Sequence, residues 1–208
     1  VISSGVSDPS AIAVDGNNDL FVANDGNLEV REFAAPYGSP TASMSVPCYP
    51  SSLATDAYND VYMSLRTCNE VYVYAPPYTG SPVVIAATAP SYVTIGPNGD
   101  LFVINNLNGG ANSISVFTPP FSSSSTPAQT ISVDLDGSNA MVVNSIGQLF
   151  VTNGTTDEVN VYPAALHRLR VGTVLDRLRV GGDVQQPVRD RDRRGRRRLR
   201  HQRQRRLP

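Results

Sequence analysis

The strongest constraint on this chain is an internal repeat of about 40 residues. PSAIAVDGNNDLFVAND starts at Pro9, PSSLATDAYNDVYMS at Pro50, PSYVTIGPNGDLFVIN at Pro90, and a more divergent SNAMVVNSIGQLFVTN at Ser138. The spacing is nearly constant over the first three units and stretches before the fourth. A second block follows in each unit: LEVREFAAPYGSP, EVYVYAPPYTGSP, SISVFTPPFSS and EVNVYP. A short β-prone piece closes the first three units, at 42–46, 83–87 and 129–133.

Each unit reads as four short strands. The first is Ala11–Val14 and its equivalents, and a turn rich in Asn, Gly and Asp follows, where positive φ and side-chain turn bonds are needed. The second strand is Leu20–Ala23, Val61–Ser64, Leu101–Ile104 or Leu149–Thr152. The third alternates, as in Val71 and Val73 against Tyr72 and Tyr74, the period of a half-buried strand. Pro76–Pro77 and Pro119–Pro120 end it, because Pro cannot donate to a ladder. No helical periodicity runs through 1–166. A sandwich or meander explains short strands but not the recurrence of whole patterns. Four antiparallel strands in a repeat of this length is the arithmetic of a β-propeller blade. The expected fold is all-β, with about four propeller-type blades in an open or truncated array.

This pattern, P-S-x-[IVL]-A-[VT]-D through D-[LV]-[FY]-V to V-x-V-[YF]-x-P-P, resembles the NHL-repeat and related lactonase-like or YncE-like propellers over about 1–163. The resemblance implies five to seven blades, and here the fourth unit loses its opening Pro and its last strand. Lactonase-like relatives bind a divalent metal in the central channel through Glu, Asn and Asp. The resemblance permits such a role for Asp15 or Asp56 without mapping it, and oxygen ligation would suit Ca2+. No cofactor is otherwise expected.

Charge divides the chain. Residues 1–166 hold two Arg against 14 Asp plus Glu, while 167–208 hold 15 Arg against four Asp. Lys is absent throughout, and Tyr, Phe, Ser, Asn, Ala and Cys are absent from 167–208. The expected division is a repeat region at 1–166 and an arginine-rich, disordered tail at 167–208. The tail reads like an out-of-frame translation of GC-rich coding sequence. A basic arm that binds nucleic acid or another polyanion is the functional alternative. The chain starts at Val1, which suggests a removed signal peptide or a fragment. No apolar run is long enough for a transmembrane helix.

The usual catalytic groups are sparse. Both His, His167 and His201, lie in the tail. No G-x-S-x-G, H-E-x-x-H, Walker or C-x-x-C pattern is present. Asp15, Asp56 and Asp134 stand near strand ends. Asp19, Asp60 and Asp100 recur before the second strand, a recurrence that points to turn acceptors for backbone N–H rather than to catalysis, with Gln148 partly filling the role. Asn24, Asn105 and Asn153 recur just past the second strand, with Ser64 in the odd unit, as Asx turns or as a polar binding rim. Asn153-Gly154-Thr155 also matches a glycosylation sequon. Tyr37, Tyr78 and Phe121 follow the third strand and either cover the seams between blades or offer an aromatic rim. Cys48 and Cys68 form a disulfide or remain two free thiols, and an even pair in a Lys-free acidic body suits an extracellular or cell-envelope protein. These features favour a non-catalytic binding or scaffold module for a protein, peptide or carbohydrate. The alternative is a lactonase- or lyase-like propeller enzyme whose active residues lie in further blades.

Overall fold

The computed structural model describes residues 1–106, 112–132, 135 and 137–164. The tail, with the readings placed on it, and Asp134 lie outside the described residues.

Four antiparallel sheets follow one another along the chain. The first holds β1 (Pro9–Val14), β2 (Leu20–Asn24), β3 (Glu29–Phe33) and β4 (Ala42–Ser45). The second holds β5 (Pro50–Thr55), β6 (Val61–Leu65), β7 (Glu70–Tyr74) and β8 (Val83–Ala86). The third holds β9 (Pro90–Ile95), β10 (Leu101–Asn105), β11 (Ser113–Phe117) and β12 (Gln129–Ile131). The fourth has three strands among the described residues, β13 (Met141–Val143), β14 (Leu149–Asn153) and β15 (Glu158–Tyr162). Each sheet is a meander with strands in chain order. These are four similar propeller-like blades. Among the described residues a single 3-10 turn, Arg66–Cys68, interrupts the pattern between β6 and β7.

The turn after each first strand explains the repeat. Asn18, Asn59, Gly99 and Gly147 all sit at φ between 66° and 83°, a left-handed conformation that Asn tolerates and Gly adopts freely. In three blades the residue closing the first strand caps this turn with its side chain. Asp15 Oδ1 accepts the N–H of Asn17 and Asp19 at 2.9 and 2.8 Å. Asp56 Oδ1 accepts those of Tyr58 and Asp60 at 2.9 and 3.0 Å. Asn144 Oδ1 accepts those of Ile146 and Gln148 at 3.2 and 2.9 Å. The acceptor in the first two blades is therefore the residue four before Asp19 and Asp60, which give their backbone N–H to the bond.

The core lies in three seams rather than in one centre. Strand alternation sends Phe21, Ala23 and Val30 of the first blade against Leu53, Val61, Met63 and Tyr78 of the second. Tyr62, Val71 and Ile85 then meet Val93, Leu101, Val103 and Phe117. Phe102, Ile104 and Ile114 meet Met141, Leu149 and Val151. Each blade thus has a front face toward its predecessor and a rear face toward its successor. The first strands lie beside one another. Hydroxyls bridge them: Ser10 Oγ donates to the Pro50 carbonyl at 2.7 Å, and Thr55 Oγ1 to the Val14 carbonyl at 2.9 Å. Among the described residues no helix is long and apolar enough to cross a membrane.

Candidate functional site

The recurrent asparagines do not share a surface. All three are buried. Asn24 Oδ1 accepts the Ser7 N–H at 3.0 Å and pins the segment ahead of β1. Asn105 Nδ2 donates to Ser113 Oγ and Ser115 Oγ at 3.0 and 2.8 Å. Asn153 Oδ1 accepts the N–H of Thr155 and Thr156 at 3.1 and 3.2 Å, an Asx-type turn. The register puts Leu65, not Ser64, at the matching place in the second blade, since Pro9 pairs with Asn24 and Pro50 with Leu65.

The aromatics behave as seam residues with a trend along the chain. Tyr78 is buried edge-on against Phe21 of the preceding blade, centroids 5.3 Å apart. Phe121 meets Tyr62 of its preceding blade in the same way at 5.8 Å. Tyr37, in the first blade, has an exposed ring. The Tyr37 and Tyr78 hydroxyls donate to the Asn18 and Asn59 carbonyls at 3.0 and 2.9 Å, a bond that Phe121 cannot make. Cys48, between β4 and β5, is joined by a disulfide to Cys68 in the 3-10 turn, Cα–Cα 6.3 Å. The bridge ties the connection between two blades to a loop of the second.

A cleft of about 800 Å3 opens where the first turns of blades two, three and four converge. Its walls include Asp56, Tyr58, Asp60, Asn98, Phe121 and Asn144. Tyr62 reaches it from β6, and its hydroxyl donates to Asp56 Oδ2 at 2.9 Å. Burial, and then the neighbouring Asp56 charge, pushes the Tyr62 phenol above the usual tyrosine range, so it stays a donor. Burial and the Asp56 charge likewise raise the Asp60 carboxyl. The wall thus offers a carboxyl group that accepts three hydrogen bonds, two at Oδ1 and one at Oδ2, and a second carboxyl that retains its proton to higher pH. Such a pair can accept a proton at one oxygen and supply one at another.

This pair is built once. The position of Asp56 is Asp15, Gly96 and Asn144 in the other blades, and the position of Tyr62 is Phe21, Phe102 and Phe150. Asp15 Oδ2 is buried with no partner, because Phe21 has no hydroxyl to give. At Gly96 a Cβ would sit 3.1 Å from the Phe102 ring, so that blade has little space for an acid there. The carboxylates recur in sequence, yet only the second blade couples an acid to a tyrosine. The signal was DAYNDVY at 56–62, set against DGNNDLF and GPNGDLF. Among the described residues no three His, Cys, Asp or Glu converge as a metal-binding group.

No protein-family profile matches the chain, and no curated protein sequence does. Solved structures do match in fold. A putative 6-phosphogluconolactonase from Bacteroides uniformis superposes with a TM-score of 0.64 at 13% identity, over 81% of this chain and 53% of that one. Hydrazine synthase from Kuenenia stuttgartiensis gives 0.63 at 17%, over 77% and 47%. A catalytically inactive virginiamycin B lyase from Staphylococcus aureus, with quinupristin, gives 0.58 at 13%, over 84% and 56%. The fold is that of a β-propeller, as in these structures. The chain is partial within it, spanning about half the length of the structures it matches.

The likeness is one of fold, but it corrects the expectation of a non-catalytic module. The matched structures are mostly enzymes: a synthase, lyases and a putative lactonase. That expectation rested on missing His and Lys and on the recurrence of the carboxylates, and it overlooked the single Asp56–Tyr62 pair.

Proposed function

We propose that this chain is part of a propeller enzyme of the lactonase or lyase type, of the NHL- or YncE-like branch that its repeat pattern suggests. The cleft across blades two to four receives the substrate. The observation that carries this reading is the Asp56–Tyr62 pair, present in one blade and set on the cleft wall beside the raised Asp60 carboxyl. Asp56 orients or accepts a proton, Asp60 supplies one, and Tyr62 holds Asp56 in place. Groups from outside these four blades complete the site.

Charge narrows the substrate. Among the described residues the lining has two carboxyl groups and no Arg, Lys or His, and a phosphate would meet repulsion there. The substrate is a neutral or cationic molecule with an ester or lactone bond rather than a sugar phosphate. The Cys48–Cys68 disulfide suits an exported protein, since such bonds persist in oxidising compartments. The test is turnover of uncharged lactones and cyclic peptide esters by the whole protein that contains these blades and by its Asp56→Asn variant. Turnover that falls by ~100-fold or more in the variant is expected. Turnover indifferent to Asp56 would sink the assignment.

A further inference from the structure

Tyr58 stands in the first turn of the second blade, and its side chain is exposed (82%). The matching turn positions hold Asn17, Asn98 and Ile146, so the aromatic occurs in one turn of the four. Its backbone N–H serves the turn by donating to Asp56 Oδ1 at 2.9 Å, and the ring adds nothing to that cap. The residue lines the cleft together with Asp56, Asp60 and Phe121. The second blade packs against the first on one side and the third on the other, so its place in the array is interior. The field at this end of the strands is negative. Burial, then the charges of Asp15, Glu32, Asp19 and Asp60, hold the Tyr78 phenol above the usual range, which sets all four carboxyls near that seam. Asp56 adds its charge beside Asp60 and Tyr62. The two Arg among the described residues stand elsewhere. Arg31 pairs with Glu29 at 2.8 Å, and Arg66 follows the far end of β6, where it donates to the Asn106 carbonyl.

We infer that the cleft takes an organic cation, an alkylated ammonium group, and that Tyr58 sets this specificity by laying its ring against the cation. The inference rests on the reading of the cleft as the substrate site and narrows that substrate to the cationic class. An aromatic face attracts a cation through its quadrupole, and carboxyls on the same wall add a direct charge. Alkylation follows from how little hydrogen-bonding capacity Asp56 has left. A carboxylate offers about four lone-pair sites, and two N–H groups and the Tyr62 hydroxyl already occupy Asp56. A primary ammonium ion wants an acceptor for each N–H, whereas an alkylated one is satisfied by field and apolar contact. Pro119, Pro120 and Phe121 supply apolar lining for the alkyl groups. A hard metal ion suits the wall less. Among the described residues no three His, Cys, Asp or Glu converge, and Ca2+ takes about six to eight oxygens. A cation on the wall also answers the repulsion that Asp56 exerts on the Asp60 carboxyl.

The experiment is a pair of binding titrations on the whole protein that contains these blades, read by NMR or calorimetry. The probes are tetramethylammonium chloride and tert-butanol, a neutral molecule of similar size. Both titrations are repeated with Tyr58→Ala and with Tyr58→Phe. The Tyr58 side chain is exposed, so each variant folds, which circular dichroism checks. Tetramethylammonium is expected to bind at least ~3-fold more tightly than tert-butanol, to lose ~3-fold or more in Tyr58→Ala, and to keep its affinity in Tyr58→Phe. Equal binding of the two probes, no binding of the cation, or cation binding that ignores Tyr58→Ala or is lost in Tyr58→Phe overturns the inference. The readout needs no turnover. A protein that turns over uncharged lactones and ignores the cation would sink this inference alone. Cation binding without Asp56-dependent turnover would sink the assigned reaction and leave the cation site standing.

Discussion

Tyr62→Phe would turn the second blade into a copy of the first at one atom. The ring keeps its shape and its edge-on contact with Phe121. The hydroxyl bond to Asp56 Oδ2 is lost. A hydrogen bond to a charged group contributes about 1.5–3 kcal/mol. Asp56 is only half-buried, so water reaches the freed oxygen and recovers part of that. The expected loss is about 1–2 kcal/mol. With a urea slope of about 2 kcal/mol per molar, the midpoint falls by roughly 0.5–1 M at unchanged slope. The converse change, Phe21→Tyr, offers a donor to the orphaned Asp15 Oδ2 and should raise the midpoint. A Tyr62→Phe midpoint equal to that of the parent chain would refute the claim that the pair is coupled.

Other outcomes follow from neighbouring residues. The Asp60 carboxyl is raised in the folded state, so the folded chain binds its proton more tightly than the unfolded chain does. Stability should therefore fall as pH rises from the ordinary carboxylate range through the raised value, and Asp60→Asn should flatten that slope in a pH series of urea melts. Tyr62, Tyr72, Tyr74 and Tyr78 are all held above the usual tyrosine range, chiefly by burial. A native absorbance titration at alkaline pH should consequently miss phenols that appear once denaturant is added. Cys48→Ser opens a loop of 20 residues and should cost about 3 kcal/mol in urea melts, with no effect in reducing buffer. Tyr78→Ala should cost about 3–5 kcal/mol, as large aromatic-to-Ala changes in a core do. Tyr37→Ala should cost less than Tyr78→Ala, because its ring is far more exposed.

Strand positions were legible because both signals involved are local. Alternation in EVYVY and the positive-φ turn residues Asn59 and Gly99 are each contained within a few positions, and the strands formed where they predicted. The turn acceptor was misplaced by four positions because Asp15 and Asp19 flank the same turn and a one-dimensional pattern treats them alike. Only the geometry shows which carboxylate faces the N–H groups. Leu65 was missed for a similar reason, since the odd unit matches the others by strand register rather than by residue type. The cleft was hidden because its walls come from turns that lie a full repeat apart in the chain. Its chemistry lay in a difference between blades, whereas the repeat directs attention to what they share.

The hydroxyl bridges between first strands bear on how the molecule comes apart. Ser10 to Pro50 and Thr55 to Val14 fasten blade one to blade two, and Ser51 to Pro90 and Val93 to Ser52 fasten two to three. Among the described residues no hydroxyl bridge of this kind joins β9 to β13, where the Asn139 and Ala140 N–H groups turn inward to Thr152 of their own blade. A linear stack in which each unit touches only its neighbours behaves as a chain of coupled switches, each contributing its own stability and a term for each border. Here the last border is the weakest. Amide exchange should run as a gradient, fastest in β13 to β15 and slowest in the second blade, which is gripped from both sides. Of the four described blades, the fourth would come away in a discrete step before the first three unfold.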